Sequence, residues 1–203
     1  MFNVTEKAPL YLCGALLAIH ILVALSLISS QIVSRYGTLY YLQGQFSAPY
    51  SLVTHGFFHV DFGHVIMNSF MILIFGIATC RGAGTGWRKS ARFLAVFLGS
   101  VIIGGAVQWA WWYFTGDSGA ALGASGGASG LFAAMAWVTG GKNRLIQFGL
   151  LWAIIQAAIV FTESVGIAPF PTAVAAHMGG YLGGALMAVL MLKPSSTGFR
   201  LGR

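Results

Sequence analysis

The chain has 203 residues, 57% of them hydrophobic and only 7% charged, with a formal net charge of +7. A soluble domain carries roughly 25% charged residues, so this composition excludes a water-facing surface and points to a lipid bilayer. The basic residues do not gather on one element, which excludes a nucleic-acid-binding stripe, and two isolated cysteines, Cys13 and Cys80, make neither a disulfide framework nor a metal site.

Six apolar segments follow in chain order, over residues 9–30, 60–79, 92–114, 125–140, 145–162 and 172–192. All but the short fourth approach the ~20 residues with which a helix crosses ~30 Å of hydrocarbon. Their Ala, Leu and Gly content, without ten-residue alternation, favours helices over barrel strands. The first segment, after Glu6 and Lys7, is too long for the apolar region of a cleavable signal and reads as a retained span. Residues 31–59 form a long loop rich in aromatic rings, among them Tyr36, Tyr40, Tyr41, Phe46, Tyr50 and Phe57. Such a loop is expected to lie partly in the outer membrane interface.

Charge orients the spans. Lys7, then Arg81, Arg88, Lys89 and Arg92, then Lys142 and Arg144, then Lys193, Arg200 and Arg203 all fall on one side of a six-crossing chain. Arg35 alone is left on the other side, where Asp61, Asp117 and Glu163 also fall. By the positive-inside rule both termini are cytoplasmic. The expected fold is an all-α membrane protein, one domain over residues 1–203, built as a bundle of six transmembrane helices.

Polar residues are scarce in these spans, and they converge in depth. At 1.5 Å per residue, Ser125 lies about 25 Å from Lys142, His177 about 24 Å from Lys193, and His64 about 25 Å from Arg81. All three share a level just below the outer edge of the hydrocarbon, with Asn68 one turn beneath. Small residues at spacing four, Gly126, Gly130 and Ala134 on the fourth span and Ala176, Gly180 and Gly184 on the sixth, let two helix backbones approach closely. Their approach brings His177 within reach of Ser125.

That pairing suggests hydrolysis. Serine becomes a nucleophile when a neutral histidine takes its proton, and the oxyanion that follows needs donors aimed at it. His64 and Asn68 share one helix face and can both donate, as can the Ser125 N–H if the fourth helix starts there. Apart from Asp61 at the outer edge of the second segment, no Asp or Glu lies in any span, so a Ser–His dyad without an acidic third member is expected. Ser129 is the rival hydroxyl, because Gly-Ala-Ser-Gly occurs twice; a turn deeper, it reads as packing or as a bond to its own helix. His55, His59 and His64 have no carboxylate or thiolate neighbour to complete a metal site except Asp61, which points elsewhere on a helix, so neither metal nor cofactor is expected. Gln108, Gln147 and Gln156 read as interhelical hydrogen bonds.

Together these residues resemble the rhomboid family of intramembrane serine proteases. His59-Val-Asp-Phe-Gly-His64-Val-Ile-Met-Asn68 is similar to that family's second-helix signature of two histidines and an asparagine, with Thr54-His55 just upstream. Gly123-Ala124-Ser125-Gly126 is similar to its Gly-x-Ser-Gly motif, and Ala176-His177-Met178-Gly179-Gly180 to the motif around its base. The resemblance implies Ser125 as nucleophile, His177 as general base, and His64, Asn68 and the Ser125 amide as oxyanion stabilisers. It further implies that Gly180 permits close approach of the fourth and sixth helices and that His59 helps hold the first outer loop. Substrates would be transmembrane helices of other proteins, cut near the outer face of a membrane that is the inner membrane in bacterial members. Tyr50-Ser51 stands where many members have Trp-Arg, and Cys80 where many have a glutamate.

Two other classes compete. A non-enzymatic binder would hold a client helix in the same pocket uncut, and the dyad with its donors speaks against it. A transporter needs a polar path across the bilayer, whereas here the polar residues gather near one face.

Overall fold

The computed structural model describes residues 6–167 and 172–194. Seven helices occupy most of them: α1 (Lys7–Ala24), α2 (Ser30–Tyr36), α3 (Ser51–Thr54), α4 (Phe62–Gly82), α5 (Gly86–Thr115), α6 (Ser125–Ser164) and α7 (Val174–Met191). Five of these, α1, α4, α5, α6 and α7, are long and apolar enough to cross a membrane.

The first apolar segment is shorter as a helix than its hydropathy predicts. It ends at Ala24 rather than running to residue 30, because Ser26 takes a left-handed φ of 59°. The Ser29 hydroxyl then accepts from the Ile32 N–H and starts α2 afresh. Serines suit this switch, since their hydroxyls offer the backbone an alternative to the helix.

Helix α6 has 40 residues, about 60 Å of helix and twice the hydrocarbon thickness. It does not run straight. Gly140 and Gly141 leave helical geometry, Gly141 at φ 60° and ψ −151°, a combination reserved for glycine. Phe132 before the break packs on Phe148 and Trp152 after it, with ring centroids 5.1 and 5.3 Å apart. Residues 125–139 and 142–164 are therefore two antiparallel arms of a hairpin, and they carry the fourth and fifth apolar segments. The Arg144 guanidinium donates to the Thr139 carbonyl at 3.3 Å and satisfies the end of the first arm.

The first arm is the centre of the bundle, buried from Gly126 through Ala134. Leu16, Val65, Ile72, Phe93, Phe97 and Leu131, all without solvent exposure, form the apolar core around it. Helix α7 lies between α5 and the first arm. Gly180 faces the Gly126 backbone, Gly184 faces Gly130, and a Cβ on Gly104 of α5 would stand 2.6 Å from the Ala176 carbonyl. Without a strong hydrophobic drive between helices in lipid, such backbone contact is what binds them.

A small antiparallel sheet, absent from the all-helical expectation, ties the loops at one end. Its order is β2 (Gln45–Phe46), β1 (Leu39–Leu42), β3 (Gly119–Ala121). A two-residue turn at Gln43-Gly44, both with positive φ, closes β1 on β2. The Trp109 indole donates to the Tyr40 carbonyl at 3.2 Å, and the Tyr41, Phe46 and Tyr113 rings pack together beside it. The aromatic loop is thereby fastened to the end of α5.

The opposite end is basic. Lys89 pairs with Glu6 at 2.6 Å, Arg92 donates to the Ala83 carbonyl at 3.1 Å, and the Lys193 N–H donates to the Gly82 carbonyl at 3.1 Å. Lys7, residues 81–92, Lys142 and Arg144, and Lys193 thus gather at one end of the bundle; Arg200 and Arg203 lie outside the described residues. Cys80 is fully buried in this end.

Candidate active site

Three helices start at the sheet end of the bundle, and each places one polar side chain in its first turn. Asp61 caps α4 by accepting from the His64 N–H at 2.8 Å, which fixes the start of the helix three residues before His64. Ser125 is the first residue of α6. His177 is the fourth of α7. Helix N-termini carry partial positive charge and unpaired N–H groups, so their convergence favours a negative charge formed between them.

His177 Nε2 stands 2.9 Å from the Ser125 hydroxyl. On its other side His177 Nδ1 stands 2.9 Å from Gln156 Oε1, on the second arm of α6. A carbonyl oxygen can only accept, so Nδ1 carries the proton and donates it. Nε2 then presents its lone pair to the serine, and the hydroxyl donates to it. The Trp152 ring, one turn before Gln156, lies 6.3 Å from the imidazole. Ser125 and His177 are both half-buried.

The segment leading into Ser125 is pinned by the outer loop. The Gly123 N–H donates to the His55 carbonyl at 2.9 Å, and the Ala124 N–H donates to His59 Nε2 at 3.2 Å. His55 in turn donates from Nδ1 to the Ser51 carbonyl at 2.7 Å. Gly123 has φ 138°, and a Cβ there would stand 2.7 Å from His64 Cε1, 2.9 Å from His64 Nε2 and 3.7 Å from Asn68 Nδ2. Only glycine meets both demands. The His64 and Asn68 side chains thus converge two residues before Ser125. Asn68 is 1% exposed and its Nδ2 has no hydrogen-bond partner among the described residues, a donor without an acceptor.

Ser129 is placed otherwise. Its hydroxyl donates to the Ser125 carbonyl at 2.7 Å, one turn back on the same helix, and it does not reach His177. Gly126 and Gly180 meet where α6 and α7 cross, one residue past Ser125 and three past His177. Of the three glutamines read as interhelical bonds, Gln108 accepts from the Ala176 N–H at 3.0 Å and satisfies a free amide at the start of α7. Gln156 reaches His177, whereas Gln147 is exposed and has no such bond among the described residues, a correction to the sequence reading. Where Trp-Arg is replaced, Tyr50 stacks on Tyr36 and donates to the Arg35 carbonyl at 3.1 Å, and the Ser51 and Ser47 hydroxyls stand 2.7 Å apart.

Two features escaped the sequence. His20, inside α1, is buried against Phe62 with ring centroids 4.5 Å apart and lies close enough to His59 to perturb it. Gln156 is read from the sequence as an interhelical hydrogen bond, but that its partner is His177 emerges only once the hairpin is folded. Among the described residues no group of three His, Cys, Asp or Glu side chains is arranged to hold a metal ion; His55 and His59 each commit a ring nitrogen to the backbone.

His59 lies outside the long helices. Burial, then the neighbouring His64 and His20, lowers its pKa from 6.5 to about 3. The neutral ring is the one that accepts from Ala124, and with a depressed folded-state value its contribution to stability is complete above pH ~6.5. It declines as pH falls from there toward 3, because the unfolded chain takes up the proton first. Burial lowers the pKa of His55 in the same direction. The thermal unfolding midpoint is therefore expected to fall between pH 7 and pH 5, with a shallower slope in His59→Gln. An equal slope in the variant would mean that His59 does not carry the dependence.

The Rhomboid domain family model matches residues 46–194, well over half of the chain and every residue of the site described above. No curated protein matches the chain.

Proposed function

Because the chain belongs to the rhomboid family, we propose that it is an intramembrane serine endopeptidase, cleaving peptide bonds in or near transmembrane helices of membrane proteins with Ser125 and His177. The observation that carries this reading is the 2.9 Å hydrogen bond from the Ser125 hydroxyl to His177 Nε2, formed where three helix N-termini meet.

The chemistry runs in two halves. His177 Nε2 takes the hydroxyl proton as Ser125 Oγ attacks the scissile carbonyl carbon, and the carbonyl oxygen becomes an oxyanion. His64, the unpartnered amide of Asn68 and the free N–H of Ser125 at the head of α6 are the donors for it. His177 then gives the proton to the departing amine, leaving an acyl-serine. Water, deprotonated by the same imidazole, attacks that ester; as the bond from the acyl carbon to Ser125 Oγ breaks, His177 returns the proton to Oγ and the second product leaves as the acid. Gly123, by having no Cβ, leaves room for the His64 and Asn68 side chains, His59 holds the Ala124 amide in place, and Gly126 and Gly180 let the two helices meet. The reaction as written uses no metal and no cofactor.

In the membrane the whole chain is read as one six-crossing domain. The two arms of α6 serve as crossings four and five, and both termini lie with the basic end on the cytoplasmic side of a bacterial inner membrane. The first arm supports this arrangement. Its 15 residues, 125–139, make about 22 Å of helix, short of the ~30 Å hydrocarbon. With its basic end at the cytoplasmic edge, Ser125 sits below the outer surface, facing the periplasmic side and the substrate helix.

A fluorophosphonate probe tests the assignment directly. Labelling is expected at Ser125 in the wild-type chain and absent from Ser125→Ala, and a cleaved product from a transmembrane substrate in detergent separates the protease from a silent helix binder. Labelling that survives Ser125→Ala, or a labelled protein that cuts nothing, overturns the reading.

A further inference from the structure

Resting on the protease reading above, we propose that Gln156 is a positioning residue for the general base, the third member of a Ser125–His177–Gln156 chain.

Three observations carry this. First, the bond is direct: Gln156 Oε1 lies 2.9 Å from His177 Nδ1, on the side of the ring opposite Ser125. Second, the amide is singled out by its place. Residues 142–164 form an apolar arm in which Leu150, Ile154 and Phe161 are exposed to the surroundings, and Gln156, at 2% exposure, is the one buried residue. The side chains this arm otherwise turns toward the bundle, Leu145, Phe148 and Trp152, are apolar or aromatic and only partly buried, so a fully buried amide among them is there for its partner. Third, only the acceptor end of the amide is used. Gln156 Nε2 is buried with no hydrogen-bond partner among the described residues.

The chemical consequence follows from the tautomers of imidazole. Neutral His177 has one N–H. With Oε1 facing Nδ1, the form protonated at Nδ1 gains a hydrogen bond, while the form protonated at Nε2 sets a ring lone pair against the lone pairs of the carbonyl oxygen. The first form is the one that can accept the Ser125 proton. Gln156 thus selects the tautomer competent as a base and fixes the plane of the ring, and Trp152 flanks the same imidazole. It does not touch the reacting atoms. Being neutral, it gives the imidazolium no counter-charge, which an acidic residue at this place would supply. The titratable groups that face His177 from its surroundings are His64 on α4 and Glu163 on the second arm.

The test uses the full chain in detergent with a fluorogenic transmembrane substrate. Gln156→Leu is expected to lower kcat about ten- to a hundred-fold, with KM within about twofold, and to slow fluorophosphonate labelling of Ser125 in step. Gln156→Glu is expected to recover much of kcat and to move the acid limb of kcat/KM to higher pH by about one unit, since a carboxylate favours the protonated ring. A purely structural role would not move that limb. Should the leucine variant fail to fold, as thermal unfolding would report, the glutamate variant decides alone. An active wild type with Gln156→Leu at wild-type kcat overturns the assignment of Gln156 and leaves the protease reading standing. A Gln156→Glu profile superimposable on the wild type does the same. A wild type that neither labels nor cuts overturns both.

Discussion

Ser125→Ala is expected to lose cleavage of a transmembrane substrate by at least about a thousand-fold, and His177→Ala by a similar factor, while Ser129→Ala keeps most of it. The two hydroxyls sit in identical Gly-Ala-Ser-Gly tetrapeptides, so local sequence cannot tell them apart. Their surroundings do. Ser125 opens α6 and bonds to an imidazole that can take its proton, whereas Ser129 gives its own proton to the Ser125 carbonyl within the same helix. Losing that intrahelical bond costs about 1 kcal/mol or less, since the carbonyl remains part of the helix ladder. Nucleophile and base act as a unit, so the double variant Ser125→Ala/His177→Ala is expected to be no slower than either single one. Substrate cleavage by each purified variant, with thermal unfolding as the control for folding, checks all four. A dead Ser129→Ala beside an active Ser125→Ala would reverse the assignment.

The sequence showed which residues meet because membrane helices obey simple metrics. Depth follows from 1.5 Å per residue and the position of the basic anchors, and this is enough to place Ser125, His177 and His64 near one level. Lateral approach follows from glycine spacing, and Gly126–Gly180 and Gly130–Gly184 do face each other across α6 and α7. The features that were not legible depend on rotation about a helix axis or on the path of a loop. Gln156 and Gln147 look alike in a run of apolar residues, yet one is buried beside His177 and the other is exposed. Which of them turns inward is decided by how the hairpin closes at Gly140–Gly141, and the Tyr181 hydroxyl on the Leu145 carbonyl at 2.6 Å helps set that. The sheet was hidden for another reason. Its strands are two to four residues long, too short for any alternation to register, and β3 begins 77 residues after its partner β1 ends, in a loop that hydropathy leaves blank.

That sheet matters for the site because β3 runs straight into Leu122-Gly123-Ala124 and so into Ser125. His55 and His59 then hold Gly123 and Ala124 through their N–H groups. The hydroxyl is therefore fixed by backbone bonds to the outer loop as well as by the helix it begins. Tyr50 and Ser51, in place of a tryptophan and an arginine, still tie this loop together through Tyr36, the Arg35 carbonyl and Ser47.

Gly180→Ala is expected to be the most damaging single methyl group that can be added near the site. The new Cβ would collide with the Gly126 carbonyl, carbon and Cα, all backbone atoms of a buried helix. A flexible side chain could swing aside, but here α6 and α7 must separate. Overpacking of this kind costs about 3 kcal/mol, and at this size the thermal midpoint is expected to drop by roughly 5–10 °C. Separation also stretches the bond between Ser125 and His177, because Gly126 adjoins the serine and Gly180 lies one turn below the histidine. Cleavage is expected to fall more than about ten-fold, since a misplacement near 1 Å is enough to do so. Gly184→Ala meets the Gly130 backbone in the same way, but two turns from His177. It should cost comparable stability and less activity. Gly14→Ala is the control, a helical glycine with nothing within 4 Å of the added Cβ, and it should be neutral or slightly stabilising. If Gly180→Ala melts with the wild type and cuts at the wild-type rate, the two helices are not in backbone contact at Gly126, and the close crossing cannot be what brings His177 to Ser125.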